Sequence, residues 1–282
     1  MIKLENVTYT YMEGGPFEKT AVHNIDLTIP DGQFIGLMGH TGSGKSTVIQ
    51  LMNGLLKPTD GKITVDGSEL WAKDTKMRDI RFKVGLVMQY PEYQIFEETV
   101  EKEIAYGPSN IGLSEEEIKD RVAKAAELVG ISKELLSKSP FELSGGQKRR
   151  VAIAGIIAME PKTLILDEPT AGLDPKGRDE ILYKIKDLQK RMNITVIFVS
   201  HRMEDIASMA DRIIVMNKGR VAMEGTPDEI FVRSDELINM GLDIPEVSKI
   251  CNELIEKGYP LKKGIYKVSE AVEEIRKLKE KR

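Results

Sequence analysis

Apolar and polar residues alternate along the beginning of the chain, with the period of a strand that buries one face. The alternation runs from Val7 to Tyr11 and again from Ile25 to Ile29, and a Gly14-Gly15-Pro16 turn lies between the two stretches. This pattern predicts two antiparallel strands at the start of the chain.

Four short apolar runs lack this alternation, which is typical of parallel strands covered on both faces. They are Gln33 to Met38, Val84 to Met88, Thr163 to Leu166 and Ile194 to Val199. Helical patterns lie between them, including one from about Lys45 to Asn53. The chain is therefore predicted to have an α/β fold.

A mostly helical insertion is predicted within this core, over about residues 91–150. A Ser-x-x-Glu capping box at Ser114 and Glu117 opens one of its helices, which Gly130 is suited to close. We expect residues 1–234 to form one main domain that contains this insertion.

Residues 235–282 differ in pattern and are predicted to form a small helical C-terminal extension. Pro245 suits the first turn of its first helix. Apolar residues recur at helical spacing in two stripes: Ile244, Val247, Ile250 and Leu254, then Val268, Val272, Ile275 and Leu278. The stripes either pack against the main domain or form a subunit interface, and the pattern alone leaves both open.

The composition narrows the class of protein. The longest strongly apolar stretch, near Val151 to Met159, is much shorter than the ~20 residues that cross a bilayer. A single cysteine, Cys251, excludes an intrachain disulfide. The net charge of −4 gives no sign of a nucleic-acid-binding surface, so we expect no nucleic-acid partner.

A glycine-rich turn between a predicted strand and a predicted helix fits the pattern G-x-x-x-x-G-K-[ST]. Its residues, here called the phosphate loop, are Gly39-His40-Thr41-Gly42-Ser43-Gly44-Lys45-Ser46. Glycines let backbone N–H groups converge on an anion, Lys45 adds a point charge, and the Ser46 hydroxyl suits Mg²⁺. Thr47 stands where a dinucleotide fingerprint needs its last glycine. We interpret His40 as a loop residue rather than a metal ligand or an acid–base group.

Two carboxylates, Asp167 and Glu168, end an apolar strand. In a protein with a phosphate loop, the first holds Mg²⁺ and the second orients or deprotonates a water. The alternative is a strand that ends in a polar turn, since Pro169 follows.

A second anion-binding helix start is predicted in the signature segment, Leu143-Ser144-Gly145-Gly146-Gln147. Ser144 can cap the helix, and the two glycines allow a ligand to approach the backbone closely. With this segment in place, the chain resembles the ATP-binding-cassette (ABC) ATPases over about residues 1–230. The family's other motifs match Gln89 (Q-loop), Ala171-Gly172-Leu173-Asp174 (D-loop) and His201 (switch histidine).

This resemblance implies a RecA-like P-loop core with an N-terminal antiparallel β subdomain and the helical insertion. It implies ATP and Mg²⁺ as cofactors, with two ATP molecules held between the phosphate loop of one subunit and the signature of another. Tyr11 would stack on adenine, with Tyr9 as its competitor, and the phosphate loop and Thr47 would hold the phosphates. The catalytic residues would be Lys45, Gln89, Glu168 and His201. The residues that hold Mg²⁺ would be Ser46, Gln89 and Asp167.

A narrower resemblance, to the energy-coupling factor (ECF) ATPases, comes from the stretch Gln89 to Val100 and from Ala105-Tyr106-Gly107-Pro108. Details such as Thr170 to Pro175 look most like the second of two paralogous ATPase subunits. The extension resembles that family's dimer-forming extension. Arg149 stands where many relatives carry glutamine, and we expect it on the helix surface.

The ECF resemblance implies a second ATPase, a transmembrane coupling subunit and a substrate-binding membrane subunit as partners. The chain would lie peripherally on the cytoplasmic face of the membrane and drive uptake of a vitamin or transition-metal ion. The coupling subunit would dock near Gln89 to Glu101, where Glu92, Glu97, Glu98 and Glu101 form either a docking groove or a solvated acidic face. Alternatives are an ordinary ABC importer or exporter subunit, a soluble ABC ATPase acting on DNA or ribosomes, and a P-loop kinase.

Overall fold

The computed structural model describes residues 1–280, with the side chains of residues 1–278, so the last two positions of the predicted extension lie outside the described residues. The strands are β1 (Ile2–Tyr11), β2 (Lys19–Ile29), β3 (Phe34–Met38), β4 (Asp60–Val65), β5 (Ser68–Glu69), β6 (Val84–Val87), β7 (Thr163–Asp167), β8 (Thr195–Val199), β9 (Arg212–Asn217) and β10 (Arg220–Gly225).

The helices alternate with these strands and fill the predicted insertion. They are α1 (Lys45–Asn53), α2 (Met77–Lys83), α3 (Val100–Ser109), α4 (Glu115–Val129), α5 (Lys133–Leu136), α6 (Gly145–Ile157), α7 (Pro175–Met192), α8 (Met203–Met209), α9 (Pro227–Phe231), α10 (Ser234–Asn239), α11 (Glu246–Glu256) and α12 (Val268–Glu280). Short 3₁₀ helices cover Pro91–Gln94 and Pro140–Glu142. Over residues 1–280, none of the helices has the length and apolar character needed to cross a membrane.

The N-terminal strands form the predicted antiparallel pair within a sheet of order β2-β1-β4-β5. The β1–β2 register runs from Ile2 opposite Ile29 to Tyr11 opposite Lys19. The side chains of Ile2, Leu4 and Val7 are buried, so the alternation marks the inner face of this sheet.

The four non-alternating runs lie side by side, as predicted, in a sheet of order β10-β9-β3-β8-β7-β6. All neighbours in this sheet are parallel except β10, which pairs antiparallel with β9. Every residue of β3 and β8 is buried, as expected for strands covered on both faces. The predicted α/β fold is confirmed. The carboxyl ends of β3, β6, β7 and β8 share one edge of the sheet, where ligands of open α/β sheets bind.

Two large hydrophobic clusters cover the two faces of the parallel sheet. One joins it to the antiparallel sheet and to α1 through residues such as Ile35, Val48 and Ile63. The other joins it to the helical insertion and α7 through residues such as Val100, Val122 and Ile181. The insertion is therefore packed against the same sheet that presents the ligand-binding edge.

The predicted capping box in the insertion is confirmed. The Ser114 Oγ accepts a hydrogen bond from the Glu117 N–H (3.3 Å), and the Glu117 carboxylate accepts one from the Ser114 N–H (2.8 Å). Gly130 follows the helix with a φ of 76°, a conformation that suits glycine.

The C-terminal segment packs partly on the main domain and partly on itself. Leu237, Leu242, Ile244 and Tyr266 belong to the cluster under the insertion, whereas Cys251, Leu261, Ile265 and Ala271 form a small cluster of their own. The helix α11 begins at Glu246, so Pro245 occupies its N-cap and not, as predicted, its first turn. Of the two predicted stripes, Ile250, Val268 and Val272 are exposed.

Candidate functional site

A cleft of about 1020 Å³ opens at the carboxyl edge of the parallel sheet. It brings together most of the residues predicted for nucleotide binding, metal binding and catalysis, from five separate stretches of sequence. Those that line it are Tyr11, Gly39, His40, Thr41, Gly42, Gly44, Lys45, Ser46, Thr47, Gln89, Asp167, Glu168 and His201. Ser43, which belongs to the same loop as Gly42 and Gly44, is fully buried and does not line the cleft.

The phosphate loop leads from β3 into the N-terminus of α1, and at two of its glycines any side chain would clash with neighbouring backbone. Gly44 has a φ of +103°, and a Cβ there would lie 2.7 Å from the Ala21 carbonyl oxygen. A Cβ on Gly39 would lie 2.5 Å from the Met216 carbonyl oxygen. The loop is therefore held against β2 and β9, with the first N–H groups of α1 directed to the cleft.

The side chain of Lys45 folds back onto the loop that contains it. Its Nζ donates to the carbonyls of Gly39 (2.6 Å) and His40 (3.1 Å). Burial lowers the pKa of the Lys45 ammonium, and the charges of Glu168 and Asp167 partly offset that effect. The His40 ring lies 2.8 Å from the Thr41 carbonyl of the loop and 3.2 Å from the side-chain oxygen of Asn217 at the end of β9, so it contacts both its own loop and that strand.

Two oxygen donors suited to a hard cation meet beside the loop. The Ser46 hydroxyl donates to the Asp167 carboxylate at 3.4 Å. Burial raises the pKa of Asp167, and the neighbouring Glu168 charge raises it further. A divalent cation at this point would relieve both effects.

Glu168 has the backbone strain that often marks a reactive residue. Its φ is +50°, a conformation that costs a residue with a side chain of order 1–3 kcal/mol. Its N–H donates to the Val199 carbonyl (3.0 Å), which fixes it to the end of β8. Its carboxylate lies 2.9 Å from the Nδ1 of His201, whose side chain is largely exposed.

The two candidate aromatic residues, Tyr9 and Tyr11, have different surroundings. Tyr11 lines the cleft, and its hydroxyl lies 3.1 Å from the Thr47 hydroxyl. Tyr9 packs against the hydrophobic cluster between the sheets and meets the Tyr11 ring edge-on, with ring centroids 4.8 Å apart. The geometry thus favours Tyr11 over Tyr9 as a ligand contact.

The signature segment begins α6 with a second capping box. The Ser144 Oγ accepts from the Gln147 N–H (3.3 Å), and the Gln147 side-chain oxygen accepts from the Ser144 N–H (3.0 Å). A Cβ on Gly145 would meet no heavy atom within 4 Å, so this helix start faces open space. Within residues 1–280, no residue of the signature segment lines the cleft, so a single chain does not bring together the two helix starts predicted to bind anions.

Arg149 was expected on the surface of α6, and that prediction is wrong. Its side chain is 3% exposed and makes a bidentate ion pair with Glu92. It also donates to the carbonyls of Pro169 and Ala171. A charged side chain is buried here because each of its polar atoms finds a partner. Glu92 is thereby also withdrawn from the acidic face predicted for docking.

Several residues that line the cleft were not predicted from the sequence. They are Lys19, Thr20, Ala21 and His23 on β2, Met203 on α8, Lys218 and Gly219 between β9 and β10, and Gly241, Leu242 and Asp243 in the C-terminal segment. Alternation places positions 19, 21 and 23 on one face of a strand, but it does not show what that face meets. For positions 241–243 we find no signal in the pattern.

Comparison with known proteins places these features in one family. Residues 22–171 match the family model described as ABC transporter. The chain is 59% identical over 275 residues to the energy-coupling factor transporter ATP-binding protein EcfA2 of Clostridium acetobutylicum, covering 97% of this chain and 96% of that protein.

Two solved structures share the fold. One is cbiO1 from Clostridium perfringens, described as part of the ABC transporter complex cbiONQ, with a TM-score of 0.76 and 37% identity over 90% of this chain and 98% of that chain. The other is the ATP-binding cassette MJ0796, a dimer in a post-hydrolysis state bound to ADP and Pi. It has a TM-score of 0.72 and 32% identity over 80% of this chain and 98% of that chain.

Proposed function

Because the chain belongs to the energy-coupling factor transporter ATP-binding proteins of the ABC transporter family, we propose that its cleft binds Mg-ATP and hydrolyses it to drive uptake across a membrane. The chain is the ATP-binding, ATP-hydrolysing subunit of such a transporter. The observation that carries the catalytic assignment is the meeting of Lys45, Ser46, Asp167, Glu168 and His201 in one cleft.

The phosphate loop and Tyr11 would hold the nucleotide. Backbone N–H groups at the start of α1 and the Lys45 ammonium would bind the β- and γ-phosphates, because both carry positive charge towards the cleft. Lys45 would exchange its carbonyl partners for phosphate oxygens, which restores the ionised form that burial disfavours. The Tyr11 ring would stack on adenine.

Ser46, Asp167 and Gln89 fit a Mg²⁺ ion. They supply a hydroxyl, a carboxylate and an amide oxygen, the hard donors that Mg²⁺ prefers, and few enough to leave places for phosphate and water. When bound, the ion neutralises charge on the phosphates. Within residues 1–278 no group of three or more His, Cys, Asp or Glu side chains forms a metal cage, so the nucleotide would complete the coordination.

Glu168 and His201 would act on the attacking water and the γ-phosphate. The Glu168 carboxylate can accept a hydrogen bond from water and orient it for attack. His201 lies within hydrogen-bond distance of that carboxylate, so its ring can hold a γ-phosphate oxygen beside the same point. Catalysis of this kind is mainly positioning and charge stabilisation.

A second subunit would complete each site. The open surface of Ser144, Gly145, Gly146 and Gln147 is the second anion-binding helix start, and it lies outside the cleft of its own chain. A head-to-tail dimer brings the signature of one subunit to the phosphate loop of the other. The solved relative bound to ADP and Pi is a dimer, which supports this arrangement.

The division into a main domain (1–234) and an extension (235–282) stays a proposal, with the extension as a dimer clamp. The exposed apolar side chains of Ile250, Val268 and Val272 support a subunit interface. Leu237, Leu242 and Ile244 pack into the main cluster, so the extension would be anchored to its own subunit at the same time.

The membrane coupling subunit would dock at Gln89 to Glu101, which places the chain at the cytoplasmic face of the membrane. This surface exposes the aromatic side chains of Tyr90, Tyr93 and Phe96 beside the carboxylate of Glu98. Aromatic and acidic groups together suit helices that carry apolar residues and arginine. A substrate-binding membrane subunit would complete the assembly, with a vitamin or a transition-metal ion as its cargo.

The direct test of this function is ATP turnover by the full-length chain with its partner subunits, compared with the Glu168→Gln variant. We expect Glu168→Gln to lower kcat by about a hundredfold or more, because the water loses its base, while ATP still binds. A variant that hydrolyses ATP at the wild-type rate would contradict the role of Glu168. A wild-type assembly without any turnover would contradict the function itself.

A further inference from the structure

Arg149 and Glu92 join two parts of the molecule that are far apart in sequence. Glu92 lies in the 3₁₀ helix that follows Gln89 and begins the docking surface. The Arg149 Nε and Nη2 donate to its two carboxylate oxygens at 3.2 and 2.9 Å. The two side chains are 3% and 16% exposed, so the pair is largely shielded from water.

The other edge of the same guanidinium holds the turn after Glu168. The Arg149 Nη1 donates to the Pro169 carbonyl (3.3 Å) and to the Ala171 carbonyl. That turn is closed by a hydrogen bond from the Ala171 N–H to the Glu168 carbonyl (3.1 Å). One side chain therefore contacts the docking surface and the backbone that carries the catalytic carboxylate.

A second buried charged group contacts the same turn. The Thr170 hydroxyl donates to the Asp205 carboxylate (3.3 Å), and the Asp205 side chain is 4% exposed. Asp205 lies on α8, the helix that follows His201. The turn at residues 169–171 is thus held by the helix after the signature and by the helix after the switch histidine.

We propose that Arg149 is a positioning residue for ATP hydrolysis, which fixes Glu168 in response to the position of the 91–94 segment. The inference rests on the proposed function and adds a residue to it. Neither Arg149 nor Glu92 lines the cleft, so both act on the reaction only through the turn. A partner docked at Gln89 to Glu101 would move Glu92, and the rigid guanidinium would transmit that movement to the turn.

Arginine suits this position for a geometric reason. Its planar fork presents several N–H donors in fixed directions, so one edge can bind a carboxylate while the other binds carbonyls. Lysine keeps the charge but is a single point donor and cannot satisfy both sets together. Loss of the arginine leaves a shielded carboxylate and two carbonyls without their partner.

The test compares the full-length chain with Arg149→Gln, Arg149→Lys and the double variant Arg149→Gln/Glu92→Gln. The matched control is Arg121→Gln. Arg121 also donates to two carbonyls, of Ala158 and Met159, and pairs with Glu160, but it does so at the opposite end of α6. Three quantities are measured: kcat per nucleotide site, with sites titrated by a fluorescent ATP analogue, KM for ATP, and amide hydrogen exchange over residues 168–174.

We expect Arg149→Gln to lower kcat per site by about tenfold or more and to leave KM within about twofold. Arg149→Lys should fall between Arg149→Gln and the wild type. Adding Glu92→Gln to Arg149→Gln should change kcat by less than about twofold, because the pair acts as one unit. In Arg149→Gln, hydrogen exchange of the Ala171 amide should be faster than in the wild type. The control Arg121→Gln should lower the melting temperature and leave kcat per site unchanged.

A wild-type kcat per titrated site in both Arg149 variants would overturn the inference, as would equal losses in Arg149→Gln and Arg121→Gln. Because sites are titrated, a smaller folded fraction does not imitate the effect. Absence of turnover in the wild type would instead overturn the proposed function, and the exchange at Ala171 would still report whether Arg149 holds the turn.

Discussion

At the scale of single residues, the two tyrosines show what a strand pattern leaves undecided. Tyr9 and Tyr11 share one face of β1 by alternation, yet one packs on the core and the other lines the cleft. The difference arises because β1 ends beside the phosphate loop, where the Tyr11 hydroxyl lies close to the hydroxyl of Thr47. The strand period fixes the face of a residue but not what stands opposite it.

We expect Tyr11→Ala to raise the Kd for ATP by about three- to tenfold, which is the range of an aromatic stacking contact. Tyr11→Phe keeps the ring and loses only the contact with Thr47, so its Kd should stay within about twofold of the wild type. Calorimetric titration of each variant gives both values. A Kd for Tyr11→Ala equal to that of the wild type would show that Tyr11 does not contact the nucleotide.

Arg149 shows the opposite limit of reasoning from sequence. Local sequence gives a charged residue on a helix no reason to be buried, because its carboxylate partner is supplied by a distant 3₁₀ helix. The residues of the phosphate loop, by contrast, could be assigned to one site directly, because strand, glycine turn and helix are adjacent in the chain. Chemistry within one contiguous stretch is readable from sequence, whereas chemistry assembled across the fold is much less so.

At the scale of elements, the predicted helices and strands with local signals were found at their positions. The predicted capping box at Ser114 is formed, Ser144 caps α6 as predicted, and α1 spans the predicted residues. The strands β4, β9 and β10 were not predicted. The first two pair with the distant strands β1 and β3, and β10 pairs with its neighbour β9, so their stability comes from pairing and not from a clear local period.

One turn between strands has a pH-dependent role in stability. Hydrogen bonds from Lys162 and from the N-terminal ammonium, both at 2.8 Å, lower the pKa of Asp66 from 3.8 to about 2. Asp66 joins the β4–β5 turn to the start of β1 and to the segment before β7. Because the pKa of Asp66 is lowered in the folded state, its carboxylate stabilises the fold at pH values above the unfolded-state pKa of 3.8. This stabilisation is lost as the pH falls through about 2.

We therefore expect Asp66→Asn to lower the free energy of unfolding by about 1 kcal/mol at pH 7, after allowance for solvent screening. Urea denaturation at pH 7 and at lower pH measures the difference, which should shrink as the pH drops below about 4. Asp31→Asn is the control, because Asp31 binds the same ammonium but is much more exposed. A difference that grows towards low pH would contradict the assignment.

At the scale of the whole molecule, the proposed docking surface at Gln89 to Glu101 would link the chain to the membrane. Glu97 and Glu98 remain available there after Glu92 is withdrawn into its pair with Arg149, although Glu98 also contacts Lys102 at 2.6 Å. That contact is exposed and exchangeable, so an arginine from a partner can replace it.

We expect Glu97→Ala and Glu98→Ala to weaken binding of the coupling subunit by about tenfold or more, while ATP binding is retained. Co-purification from membranes, followed by titration of the partner, measures the loss. Glu116→Ala is the matched control, because Glu116 is an exposed carboxylate on α4 outside this surface. Equal co-purification of all three variants would show that these acids form only a solvated face.

The proposed head-to-tail dimer would also explain why the signature segment faces open space in one chain. A Cβ on Gly145 would meet no heavy atom within 4 Å, so there is room for a second ATPase subunit to cover this surface, as proposed above. The sequence predicts two anion-binding helix starts, and the structure places them on different surfaces.

The most direct measurement is the solution mass of the Glu168→Gln chain with Mg-ATP, alone and mixed with its sister ATPase. We expect a dimer with ATP and a monomer with ADP in at least one of the two samples. Adding Gly145→Arg, at a position where an added Cβ would meet no heavy atom within 4 Å, should place a bulky side chain on the open signature surface, prevent the dimer and spare ATP binding. A chain that binds ATP and remains monomeric in both samples would contradict the sandwich dimer.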